Sequence, residues 1–464
     1  MQAVLGPSEM KDVDARVARS GVPVERLIER AGTAVARVAA AMLGGAYGAH
    51  VAVVAGRGNN GADSKVAGRL LARRGARVKV FPAGEAPRRL EGFDLVIDAA
   101  YGTGFRGEYE APDPGGAQVL EVDLPSGLDA STGEASKQAV LADATVTFGA
   151  LKPGLLLGEG RLLAGRVTLA PIGLPLPPVE ECDLCLLEDA DIGLLPPRTI
   201  EAHKWQSALA VVAGSPGMYG APSFVSRAAA RAGAGMVRLG IPGADPGDLP
   251  VTEAVSRVLP ASGFDEAALS GLERCRALVI GPGLGTERPT RASVRRIVSS
   301  APVPLVIDAD GLTALGEADS AAELIVSRQA PTILTPHAGE FARLAGEPPG
   351  GDRVAAVRRL AAATGAVVLL KGSTTIVAEP SGRTLLSTAG SSRLATAGTG
   401  DVLSGVIGAF LARGLGPTEA AALAAHVHGR AAEFGHRVGL VAGDLPELVA
   451  RVLSKAEVGP ARAR

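Results

Sequence analysis

The segment Ala397–Gly405, with the sequence AGTGDVLSG, decides the fold of the second half of the chain. Apolar residues follow it at three- and four-residue spacing, so we expect a helix to begin near Gly400. The first turn of a helix presents unpaired N–H groups and a partial positive charge. Glycines let a ligand approach that backbone closely. The segment therefore predicts an anion site at Gly398, Thr399 and Gly400.

Asp401 is the unexpected member of this turn. A carboxylate repels a bound phosphate, so its presence there calls for a chemical role. Accepting a proton from a hydroxyl that attacks a phosphoryl group is such a role. The alternative is an N-terminal aspartate on an ordinary core helix. We predict that Asp401 is catalytic.

The second half alternates predicted strands with helical segments, which is typical of a parallel sheet covered by helices. We predict strands at Ala208–Ala213, Met236–Ile241, Ala277–Ile280, Val303–Asp308, Thr332–Leu334 and Val367–Leu370, and a hairpin over 373–386. Distinctive peptides follow four of these strands: Gly281–Gly285, Asp308–Leu312, Thr335–Glu340 and Lys371–Thr375. Such sheets bind ligands at this edge.

These peptides predict phosphoryl transfer. Lys371 offers a point charge to a nucleotide phosphate, and small residues after it offer backbone donors: Gly372, Ser373, Thr374 and Thr375. The paired carboxylates of Asp308 and Asp310 suit Mg²⁺. His337 alone is compatible with a packed loop histidine. We expect His426 and His428, on an Ala-rich helix, to be structural.

The first half opens with helices over residues 8–43, a buried strand at His50–Val54, a glycine-rich loop and a helix from about Ser64 to Arg74. Strand, glycine-rich loop and helix form the opening of a nucleotide-type unit. Further strands are predicted at Arg77–Phe81, Asp94–Asp98, Gln118–Asp123 and Ala144–Phe148. The alternation again predicts a largely parallel sheet.

Polar residues gather at three predicted strand ends of this half. They are Asn59, Asn60 and Asp63, then Asp98 with Gly102, Thr103 and Gly104, then Asp123 and Ser126. Their oxygen atoms suit a hard cation, and Asp63 suits an acid or base role. Each cluster alone is also ordinary turn chemistry. Three clusters at successive strand ends predict a binding site.

The second half resembles the ribokinase-like superfamily, and within it the ADP-dependent NAD(P)HX dehydratases (YjeF C-terminal family). Beyond the peptides above, the resemblance rests on His203-Lys204-Trp205-Gln206 and Gly214–Ala221, and it spans about 200–435. It implies that the hydrated nicotinamide nucleotide contacts Ala221, Gly283, His337 and Asp401. It also implies that Lys371–Thr375, Gly398, Thr399 and Gly400 hold ADP, the phosphoryl donor, with Mg²⁺.

The first half resembles the NAD(P)HX epimerases (YjeF N-terminal family) over about 8–175. The shared peptides are Glu29-Arg30-Ala31-Gly32, Gly56–Ser64, Asp98 with Gly102-Thr103-Gly104, and Asp123–Gly127. The resemblance implies substrate contacts at Asn59, Asn60, Gly61, Ala62, Asp63, Gly102, Thr103, Gly104, Phe105, Arg106, Gly107, Glu108 and Asp123. It implies K⁺ at Asn60, Asp98 and Ser126. Ala62 and Ser64 replace usual glycines, and a Cβ there is expected to crowd the ligand.

The fold class is therefore expected to be α/β, with two three-layer α/β/α domains. A Rossmann-like epimerase domain is predicted over 1–190 and a ribokinase-like dehydratase domain over 200–456, joined by a proline-rich segment. The resemblance implies an enzyme that interconverts R- and S-NAD(P)HX and dehydrates the S epimer with ADP, giving AMP and phosphate. One alternative is a vitamin-type small-molecule kinase; another gives the N-terminal domain only a binding or assembly role.

The composition of the 464-residue chain argues against some classes of binding partner. A net charge of −1 and 3% aromatic residues argue against nucleic acid and anionic membranes as partners. No apolar stretch is long enough to span a membrane, and no signal peptide is evident, so we expect a cytoplasmic protein. We expect a homo-oligomer acting on small molecules. Cys182 and Cys185 are expected to be surface thiols rather than a metal or redox pair.

Overall fold

The computed structural model describes residues 1–136, 138–250 and 252–457. It divides into two compact units. The N-terminal unit is Gln2–Cys182, and the C-terminal unit runs from Asp183 onward and includes Met1. Residues 183–199, which lie across the predicted join, belong to the C-terminal unit in this division.

The N-terminal unit is built on a six-stranded sheet whose neighbouring strands are all parallel. In spatial order the strands are β2 (Arg77–Pro82), β1 (His50–Ala55), β3 (Leu95–Ala99), β4 (Gln118–Val122), β5 (Ala144–Phe148) and β6 (Arg166–Ala170). The inner strands β3 and β5 are buried along their whole length, because helices and loops cover both faces.

In the described part of this unit, five α-helices accompany the sheet: α1 (Pro7–Ser20), α2 (Val24–Met42), α3 (Asn59–Arg73), α4 (Pro153–Leu156) and α5 (Gly160–Leu163). Helices α2 and α3 pack closely at Gly32. A Cβ at Gly32 would lie 2.5 Å from the Cβ of Val66 and 2.6 Å from the backbone oxygen of Asp63. The glycine of the Glu29–Gly32 peptide therefore holds α2 against α3, directly behind the predicted site.

The sheet of the C-terminal unit combines a parallel part with an antiparallel end. Its strands are β7 (Leu184–Leu186), β8 (Ala208–Val212), β9 (Met236–Pro242), β10 (Val255–Leu259), β11 (Ala277–Ile280), β12 (Leu305–Ile307), β13 (Thr332–Leu334), β14 (Val367–Leu370), β15 (Thr375–Ala378) and β16 (Thr384–Ser387). Their spatial order is β7-β16-β15-β14-β13-β12-β11-β8-β9-β10. Strands β8 to β14 are parallel to one another. Strand β14 is antiparallel to β15, β15 and β16 form a hairpin, and β7 is parallel to β16.

Among the residues that the structure describes, ten α-helices surround this sheet, and one of them carries Asp401. They are α6 (Gly220–Arg231), α7 (Asp265–Leu269), α8 (Arg288–Ser300), α9 (Asp310–Leu315), α10 (Ala318–Ile325), α11 (Ala338–Ala345), α12 (Arg353–Thr364), α13 (Thr399–Ala412), α14 (Pro417–Glu433) and α15 (Leu445–Glu457). Every residue from Val402 to Ala412 of α13 is buried. The packing fixes the first turn of α13, which carries Asp401.

The predicted parallel sheets, the hairpin and the helix that begins near Gly400 are confirmed. Helix α3 begins at Asn59 rather than Ser64, because Gly58 is extended and the Asn59-Asn60 pair occupies the first helical turn. Strands β6, β7 and β10 were not predicted. Each of these three is short, and β6 and β10 lie at the ends of their sheet orders with half-exposed residues.

The prediction of surface thiols at Cys182 and Cys185 was wrong. Both cysteines are buried, at 5% and 1% exposure. The reason is that β7, which contains Cys185, pairs with β16 in the sheet of the C-terminal unit. Neither they nor Cys275 form a disulfide. Among the described residues no helix is both long and apolar enough to cross a membrane.

Candidate active sites

A cavity of about 1010 Å³ opens in the N-terminal unit where strands β1, β3 and β4 end. Ligands of parallel α/β sheets bind at this edge. Nine predicted substrate contacts line the cavity: Asn59, Asn60, Gly61, Asp63, Gly102, Thr103, Gly104, Phe105 and Asp123. Four others do not line it: Ala62, Arg106, Gly107 and Glu108. The structure thus brings all three predicted strand-end clusters to one cavity.

The turn from β1 into α3 is packed too closely for side chains. A Cβ at Gly61 would lie 1.9 Å from the backbone oxygen of Gly56, and one at Gly56 would lie 2.1 Å from that of Ala100. Ser64, which replaces a family glycine, is fully buried and donates a hydrogen bond to the Gly61 oxygen at 2.9 Å. Neither Ala62 nor Ser64 lines the cavity.

Asp63 is the most strongly perturbed acid that lines this cavity. It lies in α3 and is only 4% exposed. Burial, and secondly the negative charge of Asp123, raise the pKa of Asp63 to about 8. A carboxyl group with such a pKa exchanges a proton readily near neutral pH. The site therefore provides an acid or base without a histidine.

Asp123 is held in place by a buried lysine that sequence reasoning missed. The Nζ atom of Lys152 lies 2.5 Å from Oδ1 of Asp123, and Lys152 is 1% exposed. The Thr147 hydroxyl donates to the same oxygen at 3.0 Å, and Nζ also donates to the Phe148 carbonyl at 3.0 Å. Asp123 has a φ of 74°, a strained value for a side-chain-bearing residue. A lysine four positions after the end of the predicted strand Ala144–Phe148 was the available signal.

The residues expected to hold K⁺ form a buried oxygen-rich cluster. Ser126 donates to Oδ1 of Asp98 at 2.8 Å. The side-chain nitrogen Nδ2 of Asn60 donates to the backbone carbonyls of Val122 and Tyr101. The side-chain oxygen Oδ1 is thus left for another partner. Burial raises the pKa of Asp98, although three hydrogen bonds oppose that shift. Carboxylate, hydroxyl and amide oxygens fit a hard cation.

Glu121 adds an unpaired oxygen to this cluster. It is the register partner of Asp98 on the neighbouring strand and is fully buried. The Ser126 N–H donates to its Oε2 at 3.2 Å, whereas its Oε1 is buried without a hydrogen-bond partner. Burial first, and then Asp98, raise the pKa of Glu121 well above its usual range. Two adjacent buried acids with an orphaned oxygen are consistent with a cation at this place.

In the C-terminal unit, Asp401 lies in the first turn of α13 beside two other carboxylates. Burial raises its pKa to about 7; Asp308 and Asp310 act in the same direction, while Lys371 opposes them. A base that is half-ionised near neutral pH can accept a proton from a hydroxyl and release it again. The first turn of α13 therefore combines backbone donors with a proton acceptor.

Lys371 and Asp308 join the ends of β14 and β12 to this turn. Lys371 Nζ lies 2.6 Å from Oδ1 of Asp308, and the Ser404 hydroxyl of α13 donates to the other carboxylate oxygen at 2.7 Å. A Cβ at Gly400 would lie 3.4 Å from Lys371 Nζ. The predicted phosphate-binding lysine is thus adjacent to the predicted anion-binding turn.

The loop after β12 is strained next to these residues. Ala309 has a φ of 50°, and with Asp123 it completes the set of non-glycine residues with positive φ in the described part of the chain. One such residue lies in each candidate site, where strain of this kind often accompanies function. Asp310, directly after Ala309, accepts a hydrogen bond from the Gly285 N–H at 2.8 Å, which ties the glycine-rich loop after β11 to the site.

The predicted anion-binding turn is held in place by contacts with neighbouring residues. Gly398 has a φ of +86°, and a Cβ there would lie 2.7 Å from the Phe224 ring. The Thr399 hydroxyl lies 2.8 Å from the Leu394 oxygen and 3.0 Å from that of Thr396. Its single hydroxyl proton is therefore used within the loop, and the turn offers backbone N–H groups rather than a hydroxyl donor to a ligand.

The predicted substrate contacts Ala221 and Gly283 are neighbours, because a Cβ at Gly283 would lie 3.1 Å from the Ala221 Cβ. His337 caps α11: its Nδ1 accepts from the N–H groups of Gly339 and Glu340 at 3.0 and 3.3 Å. Nε2 therefore carries the proton when the ring is neutral, and the side chain is 58% exposed. Small residues and an exposed ring donor suit contact with a ligand.

His428, which we expected to be structural, is buried. Burial, and secondly Lys371, lower its pKa to about 4, against a backbone hydrogen bond with Thr399. His428 is therefore neutral at physiological pH. His426 lies 2.9 Å from Asp189 and 3.4 Å from the Ser387 hydroxyl. Both histidines are in α14.

Comparisons with known proteins match both halves of the chain. A family model described as NAD(P)H-hydrate dehydratase matches residues 209–454, and one described as YjeF-related protein N-terminus matches residues 24–92 and 82–154. A bifunctional NAD(P)H-hydrate repair enzyme of Mycobacterium leprae (strain TN) is 38% identical, over 96% of each chain. The chain belongs to the family of bifunctional NAD(P)H-hydrate repair enzymes.

A second member of this repair-enzyme family, from Thermofilum pendens (strain DSM 2475 / Hrk 5), is 38% identical over 92% of this chain and 91% of its own. Among solved structures, an ADP/ATP-dependent NAD(P)H-hydrate dehydratase from Bacillus subtilis, co-crystallised with ATP and Mg²⁺, is 31% identical. It aligns with 58% of this chain and 97% of its own, with a TM-score of 0.51. A ribokinase-like protein from Enterococcus faecalis V583, 22% identical with a TM-score of 0.52, shares the fold. The predicted α/β fold class is confirmed.

Within this family assignment, three site residues were absent from the sequence predictions. Lys152 pairs with Asp123, Glu121 lies beside Asp98, and Asp14 of α1 lines the N-terminal cavity. Burial and the charge of Asp123 raise the pKa of Asp14. Asp14 comes from a helix far from the motifs in sequence, and only the tertiary fold brings it to the cavity.

Proposed function

We propose that the chain repairs hydrated nicotinamide nucleotides in two steps. The N-terminal unit interconverts R- and S-NAD(P)HX, and the C-terminal unit dehydrates S-NAD(P)HX to NAD(P)H, converting ADP to AMP and phosphate. One observation carries the proposal: Asp401, with a pKa raised to about 7, lies in the first turn of a buried helix beside Lys371 and Asp308. Relatives that bear this function in their names extend over nearly the whole chain.

Dehydration begins when Asp401 accepts the proton of the substrate hydroxyl. The hydroxyl oxygen of the substrate then attacks the β-phosphorus of ADP. An O–P bond forms, the bond from the β-phosphorus to the bridging oxygen breaks, and AMP leaves. Backbone N–H groups of Gly398–Gly400 and the Lys371 ammonium stabilise charge on the transferring phosphoryl oxygens. The phosphate ester then loses phosphate and a proton from the adjacent ring carbon, which restores the double bond. Ala221, Gly283 and His337 contact the nicotinamide nucleotide.

Mg²⁺ would be held by Asp308 and Asp310 together with nucleotide phosphates. Both carboxylates are close enough to raise the pKa of Asp401. Among the described residues no group of three or more His, Cys, Asp or Glu side chains is arranged for a metal. That agrees with Mg²⁺, which usually uses one or two carboxylates plus phosphates. The ion, when bound, offsets the negative charge of the phosphates.

In the N-terminal unit, Asp63 is the proposed acid and base at the hydrated carbon. Its pKa of about 8 lets it hold and release a proton near neutral pH. Burial and, secondly, the charge of Asp123, which Lys152 fixes in place, keep this pKa high. K⁺ would be held by Asn60, Asp98 and Ser126, where it supplies positive charge beside buried carboxyl groups.

The test is recovery of absorbance at 340 nm from a mixture of both NADHX epimers with ADP, Mg²⁺ and K⁺. The unmodified protein is expected to convert the whole mixture faster than spontaneous epimerisation allows. Asp63→Asn is expected to stall once the S epimer is consumed, and Asp401→Asn is expected to convert neither epimer. A reaction without ADP serves as the blank.

Three outcomes would contradict the proposal in different ways. Complete recovery without ADP would remove the phosphoryl-transfer step. A stable phosphorylated product without NADH would favour a vitamin-type kinase. An unmodified protein that stalls after one epimer would leave the N-terminal unit as a binding or assembly module.

A further inference from the structure

Arg353, the first residue of α12, is a half-buried cation. Its Nε is buried and has no hydrogen-bond partner. Among the residues that the structure describes, no carboxylate or carbonyl oxygen bonds its guanidinium group. Burial lowers the pKa of Arg353, with no compensating charge. Removing a charge from water without pairing it is costly, so a position like this one suits an anion supplied from outside the chain.

The guanidinium group lies against the proposed nucleotide loop. An ideal Cβ at Gly372 would be 3.5 Å from Nη2 of Arg353 and 3.2 Å from the Thr374 oxygen. Gly372 directly follows Lys371, the residue at the end of β14 that contacts Asp308. Arg353 therefore reaches the same loop from a different helix. No motif in the sequence connects residue 353 with residues 371–375.

The negative charges around this loop favour a second cation beside Lys371. Lys371 is already paired with Asp308 at 2.6 Å. Asp310 and Asp401 add further negative charge close by. A nucleoside diphosphate brings several more negative charges to the same place. Lys371 is a point charge shared with Asp308, whereas an arginine presents a planar pair of N–H donors that matches phosphate oxygens.

We propose that Arg353 binds a phosphate of the adenine nucleotide in the C-terminal unit. This inference rests on the proposed function, because it requires the nucleotide to occupy the loop 371–375. Arg353 is a binding residue for the diphosphate and takes no part in proton transfer. It reaches the loop from the side of α12, whereas the turn Gly398–Gly400 belongs to α13.

The experiment measures the affinity of the full chain for ADP, AMP and adenosine by calorimetry with Mg²⁺. Arg353→Gln is expected to weaken ADP binding about 10- to 100-fold, as expected for a hydrogen bond to a charged group, and to leave adenosine binding unchanged. Arg359→Gln is the matched control: Arg359 is on the same helix, 64% exposed, and 3.6 Å from Glu347. It should leave all three affinities unchanged.

Thermal unfolding without nucleotide separates binding from folding. Arg353→Gln is expected to match or exceed the melting temperature of the unmodified chain, since an unpaired charge is removed. Should Arg353→Gln not fold, Arg353→Lys is measured instead; it keeps the charge without the planar fork and is expected to weaken ADP binding severalfold.

Two results would overturn the role of Arg353 without affecting the proposed function. One is a normal ADP affinity in the Arg353 variant. The other is an equal loss of affinity for adenosine and ADP, which would indicate a distorted loop. Failure of the unmodified chain to bind ADP would overturn both this inference and the proposed function. The two failures are therefore distinguishable in one titration series.

Discussion

The burial that suits Asp401 to its proposed role as a base also makes its ionised form unfavourable for stability. Its carboxyl group is withdrawn from water beside Asp308 and Asp310, so it holds its proton to a pH near 7. A surface aspartate would be fully ionised there and a weak base. Burial of this carboxyl group therefore raises its pKa to near neutral pH and lowers the free energy of unfolding when the group is ionised.

Asp401→Asn is expected to lower NADHX dehydration at least about 10²-fold, because the amide cannot accept the hydroxyl proton. ADP binding should persist, since the anion-binding backbone is unchanged. The measurement is NADH recovery at 340 nm together with the ADP dissociation constant. Asp319→Asn, at an exposed carboxylate of α10, is the control and should change neither. Near-normal turnover in Asp401→Asn would exclude the proposed base.

The pH dependence of dehydration should report the same group. Asp401 acts when it is deprotonated, so kcat/KM is expected to rise with pH, reach half its maximum near pH 7 and then level off. The rate is measured from pH 5.5 to 9 with the substrate well below KM. A rate that is constant across this interval would show that Asp401 does not limit the reaction.

Stability should change with pH in the opposite direction. The pKa of Asp401 is higher in the folded chain than its ordinary value of 3.8, so the free energy of unfolding falls as pH rises from about 4 to about 7. Asp401→Asn removes this dependence and is expected to be more stable by about 1–3 kcal/mol at pH 8. Chemical denaturation at pH 5 and pH 8 measures the difference. A variant that is less stable at pH 8 would contradict this account.

At the scale of elements, the first turn of α13 depends on Gly398. Its φ of +86° is unfavourable for other residues, and a Cβ would meet the Phe224 ring of α6 at 2.7 Å. Gly398→Ala is expected to cost about 2–4 kcal/mol and to weaken ADP binding. Thermal unfolding and calorimetry measure the two effects.

Gly414→Ala is a matched control for the backbone strain. Gly414 follows the same helix, has a φ of +94° and has nothing within 4 Å of its ideal Cβ. It should cost about 1–2 kcal/mol without changing ADP affinity. Equal effects of the two variants would mean that the contact with α6 is unimportant.

The sequence predicts the interior elements better than the peripheral ones. Strands such as Ala277–Ile280 are uninterrupted apolar runs because both faces are covered, and their bounds are as predicted. By contrast, β10 has the sequence VSRVL and is half-exposed, so neither an apolar run nor a strict alternation marks it. Strand β7 is three residues long within a proline-rich segment, and only its pairing with β16 makes it a strand.

At the scale of the molecule, sequence motifs predict the residues that are proposed to contact a ligand. The residues that shift the pKa values of those groups come from distant parts of the chain. Asp63 and Asp401 belong to glycine-rich segments that are recognisable in the sequence. The partners that set their environments, Asp123 and Asp308, lie 60 and 93 positions away. Lys152 and Arg353 belong to neither motif, and only the fold brings them to the sites. Such contacts depend on strand order, which local patterns do not encode.

The division into two compact units predicts that the two activities separate. Residues 183–464 contain Asp401, Lys371 and the nucleotide loop. A solved Bacillus subtilis dehydratase aligns over 97% of its length with only 58% of this chain. We expect residues 183–464, expressed alone, to fold and to recover NADH from the S epimer at the rate of the full chain. The R epimer should then disappear only as fast as it epimerises spontaneously.

Adding residues 1–182 as a separate polypeptide should restore rapid use of the R epimer, because the intermediate between the two reactions is a free nucleotide that can diffuse. The same polypeptide carrying Asp63→Asn is the control and should restore nothing, since the proton exchange at the hydrated carbon is lost. Chromatographic separation of the epimers during the reaction measures both steps. Rapid loss of both epimers with residues 183–464 alone would place epimerisation outside the N-terminal unit. Restoration that requires the covalent fusion would show that the substrate passes between the units without release.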